Sequence, residues 1–297
     1  MYKKFQDLPD SPLLYGKSSQ RLYTEWIVNA KEDEVLYGLD FKSFDTRVPP
    51  WMIHTAFDIL HQNVDWYNWR GKPTTKRTRQ KWRNVWDGVK WYFINTCILM
   101  PDGRMFRKHG GVPSGSWFTQ LVDSVVCYIM SKYIALCQGE KALGLRVLGD
   151  DTAFRSKKLL SMERASSDAA AVSMELSEKC EVTKDPCDFK LLGTKYRGGH
   201  AWRSDEEWFK LALYPENPPP DVGVSLTRLV GLWLGGAMWS AAFCAFMDYF
   251  QKCYPCPTSG WFNKDQRRWL EIVYSGKSPR GWTSKRSLFW RSIFYTL

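Results

Sequence analysis

The chain has 297 residues, enough for one large domain or two modest ones with a sizeable buried core. Hydrophobic residues make up 44% and charged residues 25%, which excludes a disordered polyelectrolyte; eight cysteines are too few for a disulfide scaffold and fit a reducing compartment. Forty-two Lys and Arg against 31 Asp and Glu leave a formal charge of +11, a balance that suits a polyanionic partner.

The first ten residues, MYKKFQDLPD, contain no apolar signal-peptide core, so secretion is not expected. A helix is predicted around Arg21–Ala30, and Val35–Phe41 (VLYGLDF) reads as a short strand. Pro49-Pro50 opens a helical pattern running to about Asp65. From Arg70 to Lys90 eight basic residues face one acid, Asp87, with Trp82 and Trp86 at helical spacing among them. Those two rings suit either packing the helix down or stacking on a base. Asn95–Met100 is apolar and meets a Pro101-Asp102-Gly103 turn; Gly110–Gly115 is a flexible loop; Trp117–Leu136 reads as a long helix. Leu145–Leu148 is a strand candidate, Gly149-Asp150-Asp151 its turn, and Thr152–Phe154 its return. Ser161–Leu176 is helical, Cys180–Thr183 and Phe189–Tyr196 are short strands, and Ser204–Leu213 is a helix opened by a Ser204/Glu207 capping box. Pro215–Pro220 (PENPPP) marks a boundary, after which the pattern is mainly helical. Leu229–Met247 is 19 residues without a charge, long enough to span a bilayer. Its Gly235-Gly236 pair and small residues point instead to a broken, buried helical hairpin, and no membrane partner is expected.

The carboxylates carry the chemistry. Asp40 ends a strand and Asp45 follows five residues later; Asp150 and Asp151 sit at a tip between two strands. Adjacent acids at such a tip repel, and a divalent cation supplies the missing charge. Two Mg²⁺ ions need bridging carboxylates from different strands, for which Asp40 and Asp150 qualify; Mg²⁺ needs only one or two carboxylates besides water and phosphate oxygens. Alone, each pair is also what an ordinary acidic turn looks like. In the Ser114-Gly115-x3-Thr119-x3-Asp123 run, Ser114 can hydrogen-bond a nucleotide and Gly115 lets a ligand approach the backbone. Thr119 and Asp123 share a helix face able to read a ribose 2′-OH. A plain helix cap by Ser114 or Ser116 is the simpler use of the same residues. Cys253-x2-Cys256 has zinc-like spacing but lacks a second ligand pair, and no GxxxxGK[ST] run is present.

In this order, DFKSFDTRVP (40–49), GGVPSGSWFTQLVDS (110–124) and VLGDDTAF (147–154) resemble motifs A, B and C of viral RNA-dependent RNA polymerases of the partitivirus-like, double-stranded RNA group. LSEKCEVTKDPCDFKLLGTKYRGG (176–199) resembles motifs D and E, and WFKLALYPE (208–216) the entry to the thumb. The resemblance implies an α+β right-hand palm, an antiparallel sheet with helices on one face, with partial fingers and a helical thumb. By it, residues 1–34 are a remnant of the fingers, 35–213 the palm with a fingers insertion at about 66–110, and 214–297 the thumb.

It also implies roles. Asp40 and Asp150 hold two Mg²⁺ ions, for which Mn²⁺ can substitute, with Asp151 beside them as a tuning group or secondary ligand. Asp45, Ser114, Gly115, Thr119 and Asp123 form the ribonucleoside triphosphate site. Many relatives carry Asn in place of Asp123, and an ionised Asp accepts hydrogen bonds without donating them. Lys179, with Lys184 as runner-up, is the candidate acid for the pyrophosphate leaving group. Lys195 and Arg197 contact primer-strand phosphates, and the basic run including Lys76, Arg77, Arg79, Lys81 and Arg83 contacts template RNA. Template and product RNA are the expected partners, with capsid protein as a further one, in the virion interior and the host cytoplasm.

No basic triphosphate-holding motif is evident before Glu34, so the chain is expected to be N-terminally partial. Two other readings stay open. A reverse transcriptase normally has an aromatic-x-Asp-Asp motif, where this chain has Leu148-Gly149 before the acids. A non-catalytic basic RNA-binding or capsid-associated protein leaves the arrangement of Asp40 and Asp150 unexplained.

Overall fold

In the computed structural model, which describes residues 11–14 and 26–254, contacts divide the chain into two units: 1–15 with 30–192, and 16–29 with 193–297. The first unit opens on β1 (Val35–Leu39), whose Val35, Leu36, Tyr37 and Leu39 are all buried, as a central strand requires. A short α1 (Phe44–Arg47) leads to α2 (Pro50–Gln62). Pro50 takes the first helical position, where a missing N–H costs nothing, and Met52, Ile53, Ala56, Phe57 and Leu60 form the buried stripe. Next come the hairpin β2 (Asn68–Trp69) and β3 (Lys72–Pro73), the basic helix α3 (Lys76–Ile94), and the hairpin β4 (Cys97–Leu99) and β5 (Met105–Arg107). Then follow α4 (Thr119–Cys137), β6 (Leu143–Leu148), β7 (Asp151–Ser156), α5 (Met162–Ala171) and β8 (Glu181–Thr183).

Four strands form one antiparallel sheet in the order β6-β7-β1-β8. The strand carrying Asp40 therefore lies beside the hairpin carrying Asp150. Tyr37 faces Phe154 across the β1–β7 register, and their rings stack 5.1 Å apart. The Tyr37 hydroxyl accepts from Leu160 N–H at 2.7 Å, tying the sheet to the approach of α5. α4 packs on β6 and β7. Among the described residues it is the one helix long and apolar enough to cross a membrane, and here Val122, Val126, Met130 and Ile134 are buried in the core. Phe57 anchors the insertion to that core, its ring 5.6 Å from Trp86 and 5.2 Å from Phe93.

The second unit contains the hairpin β9 (Lys195–Arg197) and β10 (His200–Trp202), then α6 (Asp205–Leu213), α7 (Val222–Leu234) and α8 (Ala241–Cys253). The Ser204/Glu207 capping box is present, and Arg228 donates to the carbonyls of Leu211 and Ala212 at the far end of α6. The uncharged run 229–247 is bent at Gly235-Gly236 into two helices around Leu229, Val230, Trp233, Phe243 and Met247.

Two expectations and one alternative need correcting. α5 ends at Ala171, five residues before the predicted Leu176, because the chain turns through Ser173 at φ +68° and lays Leu176 beside Phe41. Phe189–Tyr196 is not one strand: Leu192 and Gly193 both take positive φ, which breaks the extended run into isolated bridge residues at Leu191 and Thr194, and β9 itself begins at Lys195. Neither Ser114 nor Ser116 caps α4, whose N-cap is Phe118 without a side-chain cap bond. Half of the helix predicted at Arg21–Ala30 falls outside the described residues, as do most of the fingers remnant, Cys256, and the predicted thumb beyond Tyr254.

Candidate active site

β1 runs out at Asp40. Its register pairs Leu39 with Thr152, so one further step sets Asp40 opposite Asp151. Facing residues of an antiparallel pair have Cα atoms about 4.5–5.5 Å apart. The β6–β7 connection is a two-residue turn, Gly149-Asp150, between Leu148 and Asp151. Gly149 has φ +61° at the first turn position, where hairpin turns of the II′ class place glycine. Strand pairing and a tight turn thus bring Asp40, Asp150 and Asp151 to one edge of the sheet.

α4 fixes that turn from below. Ser124 Oγ accepts from Gly149 N–H at 2.8 Å and donates to Gln120 O at 2.6 Å. Cys127 Sγ lies 3.6 Å from Asp150 O, and the Ser131 and Thr152 hydroxyls are 3.1 Å apart. Asp40 is held by the returning chain: its carbonyl accepts from Ser177 N–H at 2.8 Å, its N–H points at Cys180 Sγ at 3.4 Å, and Ser177 Oγ donates to its carboxylate.

Asp40, Asp45 and Asp150 line one cavity of about 900 Å³, together with Lys42, Glu175, Ser177 and Lys179. Glu175 pairs with Lys42 at 3.0 Å and Arg47 at 2.7 Å on its wall. Lys184 is not part of that wall. Asp45 sits in the first turn of α1, and Ser114 Oγ donates to its carboxylate. Thr119 Oγ1 donates to Pro113 O at 2.7 Å, so it shapes the loop that carries Ser114. Gly115 is exposed with open space around it. Asp123, four residues beyond Thr119, is buried, and its Oδ1 has no hydrogen-bond partner.

The acids perturb one another. Burial, then the charges of Asp45 and Asp150, push the Asp123 carboxyl up to about 8. Asp151 is exposed by its overall surface, yet partial burial of its carboxyl, then Asp150 and Asp40, raise it to about 6. Among the described residues no three His, Cys, Asp or Glu side chains close into a preformed metal cage. A hard cation such as Mg²⁺ takes one or two carboxylates and draws its other ligands from water and phosphate. Mutual repulsion between Asp40, Asp150 and Asp151 is what such a cation would neutralise.

Of the basic candidates, Lys76, Arg77, Lys81 and Arg83 are exposed on α3. Arg79 is engaged within the insertion, donating to Thr74 O at 2.6 Å and lying 4.8 Å from the Tyr67 ring centroid. Trp86 is buried against Phe57, Trp66 and Phe118, and so packs the helix down. Trp82 packs on Trp69 at 5.3 Å. Lys195 and Arg197 lie on β9 in the second unit, with Arg197 over the Trp202 ring at 4.1 Å. Sequence reasoning missed Ser124, Ser131, Ser177 and Cys180. The legible signal was two hydroxyls, Ser124 and Ser131, seven residues apart on one face of an apolar helix.

The sequence model of the family described as "Viral RNA-dependent RNA polymerase" matches residues 1–251. The chain is 32% identical over 143 residues to the RNA-directed RNA polymerase of Cryptosporidium parvum virus 1 (strain KSU-1), covering 43% of this chain and 25% of that protein. It is 40% identical over 70 residues to the RNA-directed RNA polymerase of White clover cryptic virus 1, covering 23% of this chain and 11% of that one. The fold is similar to the crystal structure of the RNA-dependent RNA polymerase of a human picorbirnavirus, with a TM-score of 0.61, 16% identity and coverage of 80% of this chain and 48% of the other. An insertion-loop deletion mutant of a human picorbirnavirus polymerase gives 0.59, 15%, 86% and 48%. These matches thus span less than half the length of each relative.

Proposed function

We propose that this chain, which belongs to the viral RNA-dependent RNA polymerase family, carries the centre for template-directed transfer of ribonucleotides to an RNA 3′ end. The observation that carries this reading is the convergence of Asp40, Asp45 and Asp150 on one cavity, with Ser114 bonded to Asp45. In the reaction a primer 3′-oxygen attacks the α-phosphorus, and the bond to pyrophosphate breaks. Divalent cations, Mg²⁺ or Mn²⁺, would activate that oxygen and offset the phosphate charge. Asp40 and Asp150 are the residues to hold them, with Asp151 beside the pair. Ser177 keeps the Asp40 carboxylate oriented, and Ser124 holds the turn that presents Asp150.

Asp45, Ser114 and Asp123 offer a polar set for the ribose, and Thr119 supports it through Pro113. Such a set favours a 2′-OH, in line with a ribonucleotide rather than a deoxynucleotide substrate. Lys179 lines the same cavity and is the proton donor proposed for pyrophosphate. The exposed cations of α3 and the β9–β10 hairpin are proposed to contact RNA backbone. Capsid protein as a partner, and a place in the virion interior and host cytoplasm, rest on the family relationship alone.

The test is labelled UTP incorporation on poly(A) with an oligo(U) primer and Mg²⁺ or Mn²⁺, beside an Asp150→Ala, Asp151→Ala double variant. Template-dependent product that disappears in the variant is expected. Equal product from both would sink the assignment of the acids. Silence from a folded, RNA-binding wild type, with a longer chain silent too, would favour a non-catalytic RNA-binding role.

A further inference from the structure

Lys108 follows β5 and is half-buried at the base of the loop that carries Ser114. Its ammonium donates to Phe93 O at 2.7 Å, Gly111 O at 2.6 Å and Gly110 O at 3.1 Å. A lysine ammonium has three donors, and here each meets a backbone carbonyl. Phe93 lies in the last turn of α3, where carbonyls lack helical partners and a cation is favoured. One side chain therefore closes the end of the insertion helix and grips two successive peptides of the 110–115 loop.

The other side of those peptides is tied to the nucleotide-site segment. Gly111 N–H donates to Val48 O at 2.8 Å and Val112 N–H to Asp45 O at 2.6 Å. The loop passes so close that a Cβ at Gly111, where φ is +68°, would lie 2.6 Å from Asp45 O. Three residues further on, Ser114 reaches the Asp45 carboxylate. No carboxylate lies within ion-pair distance of Lys108 among the described residues, and burial lowers its pKa to about 8. Three carbonyl acceptors and the Phe93 ring, its centroid 5.7 Å from the ammonium, offset the cost of half-burying that charge.

We propose that Lys108 is a positioning residue for nucleotide selection, clamping the 110–115 loop between α3 and Asp45 so that Ser114 stays on the Asp45 carboxylate. The selection half rests on the polymerase reading above; the clamp itself does not. It links the insertion to the ribose-reading set without touching substrate.

The experiment uses the full chain, wild type against Lys108→Met and Lys108→Arg, in two arms. Hydrogen exchange without nucleotide is read for the 110–116 segment and for the sheet segment 143–156. Loss of the charge-assisted bonds predicts exchange about tenfold faster at 110–116 in Lys108→Met, with the sheet unchanged and partial recovery in Lys108→Arg. Unchanged exchange at 110–116 overturns the clamp; faster exchange across both segments makes Lys108 a general fold contact instead. The second arm measures equilibrium binding of UTP and dUTP. Lys108→Met should lose most of the UTP preference through weaker UTP binding, and Ser114→Ala added to it should cost little more. Preference intact in a variant with a loosened loop overturns the selection role. A wild type with no UTP preference removes the nucleotide reading while exchange still decides the clamp.

Discussion

Asp123 is the departure from the expected amide that the motif resemblance raised, and its charge state decides whether that difference matters. An ionised carboxylate in that position only accepts hydrogen bonds, and that was the difficulty legible in the sequence. Burial beside Asp45 and Asp150 instead raises its pKa to about 8, so at neutral pH the group is protonated. A neutral acid both donates and accepts, as an amide does. Asp123→Asn should therefore keep the UTP preference at pH 7, whereas the wild type loses preference as pH rises through 8 and the variant does not. Stability follows the same proton. The folded-state pKa lies above the ordinary value of 3.8, so between about pH 4 and 8 the native state binds more protons than the unfolded one. Wild-type stability then falls over that window as pH rises. Melting curves at pH 6 and 8.5 should show Asp123→Asn gaining on the wild type by an amount on the order of a few kcal/mol at the higher pH. Parallel pH profiles would show that Asp123 is ionised in the fold.

At the scale of elements, α4 and the β6–β7 hairpin form one device. The turn that presents Asp150 has its Gly149 N–H bonded to a hydroxyl from α4, not to another strand. Ser124→Ala leaves that N–H without its acceptor, which costs about 1–3 kcal/mol if water cannot replace it. Incorporation should fall further than the loss of stability accounts for, because Asp150 shifts against Asp40; activity reduced only in step with the folded fraction would make Ser124 merely structural. The strands themselves were legible because their apolar runs are short and bounded by glycine and acids. The supporting hydroxyls were not, because a serine in an apolar helix reads as a tolerated polar residue until its partner is placed. Phe189–Tyr196 misled for a different reason. Its residue types suit a strand, but Leu192 and Gly193 themselves form a turn at positive φ, which overrides propensity.

On the scale of the whole chain, charge and catalysis separate. The net charge of +11 does not lie in the carboxylate cavity, whose wall carries Asp40, Asp45, Asp150, Glu175 and Glu178 against Lys42 and Lys179. Exposed cations instead gather on α3, where the composition already suggested a polyanion partner. The sequence could not say which cations are free, because Arg79 is spent on Thr74 and Tyr67 while its neighbours face solvent. RNA affinity should therefore fall steeply with salt, and replacing Lys81 and Arg83 with alanine should lower the slope of log K against log salt by about 1 for each lost phosphate contact. Arg79→Ala should act differently, loosening the β2–β3 hairpin and lowering thermal stability. Asp40→Ala should leave RNA affinity and its salt slope nearly unchanged, since cation-driven backbone binding does not pass through the carboxylates. A slope unchanged on loss of Lys81 and Arg83 would move the RNA path off α3 and onto the other basic surfaces, with the β9–β10 hairpin, where Arg197 lies over Trp202, next to be tested.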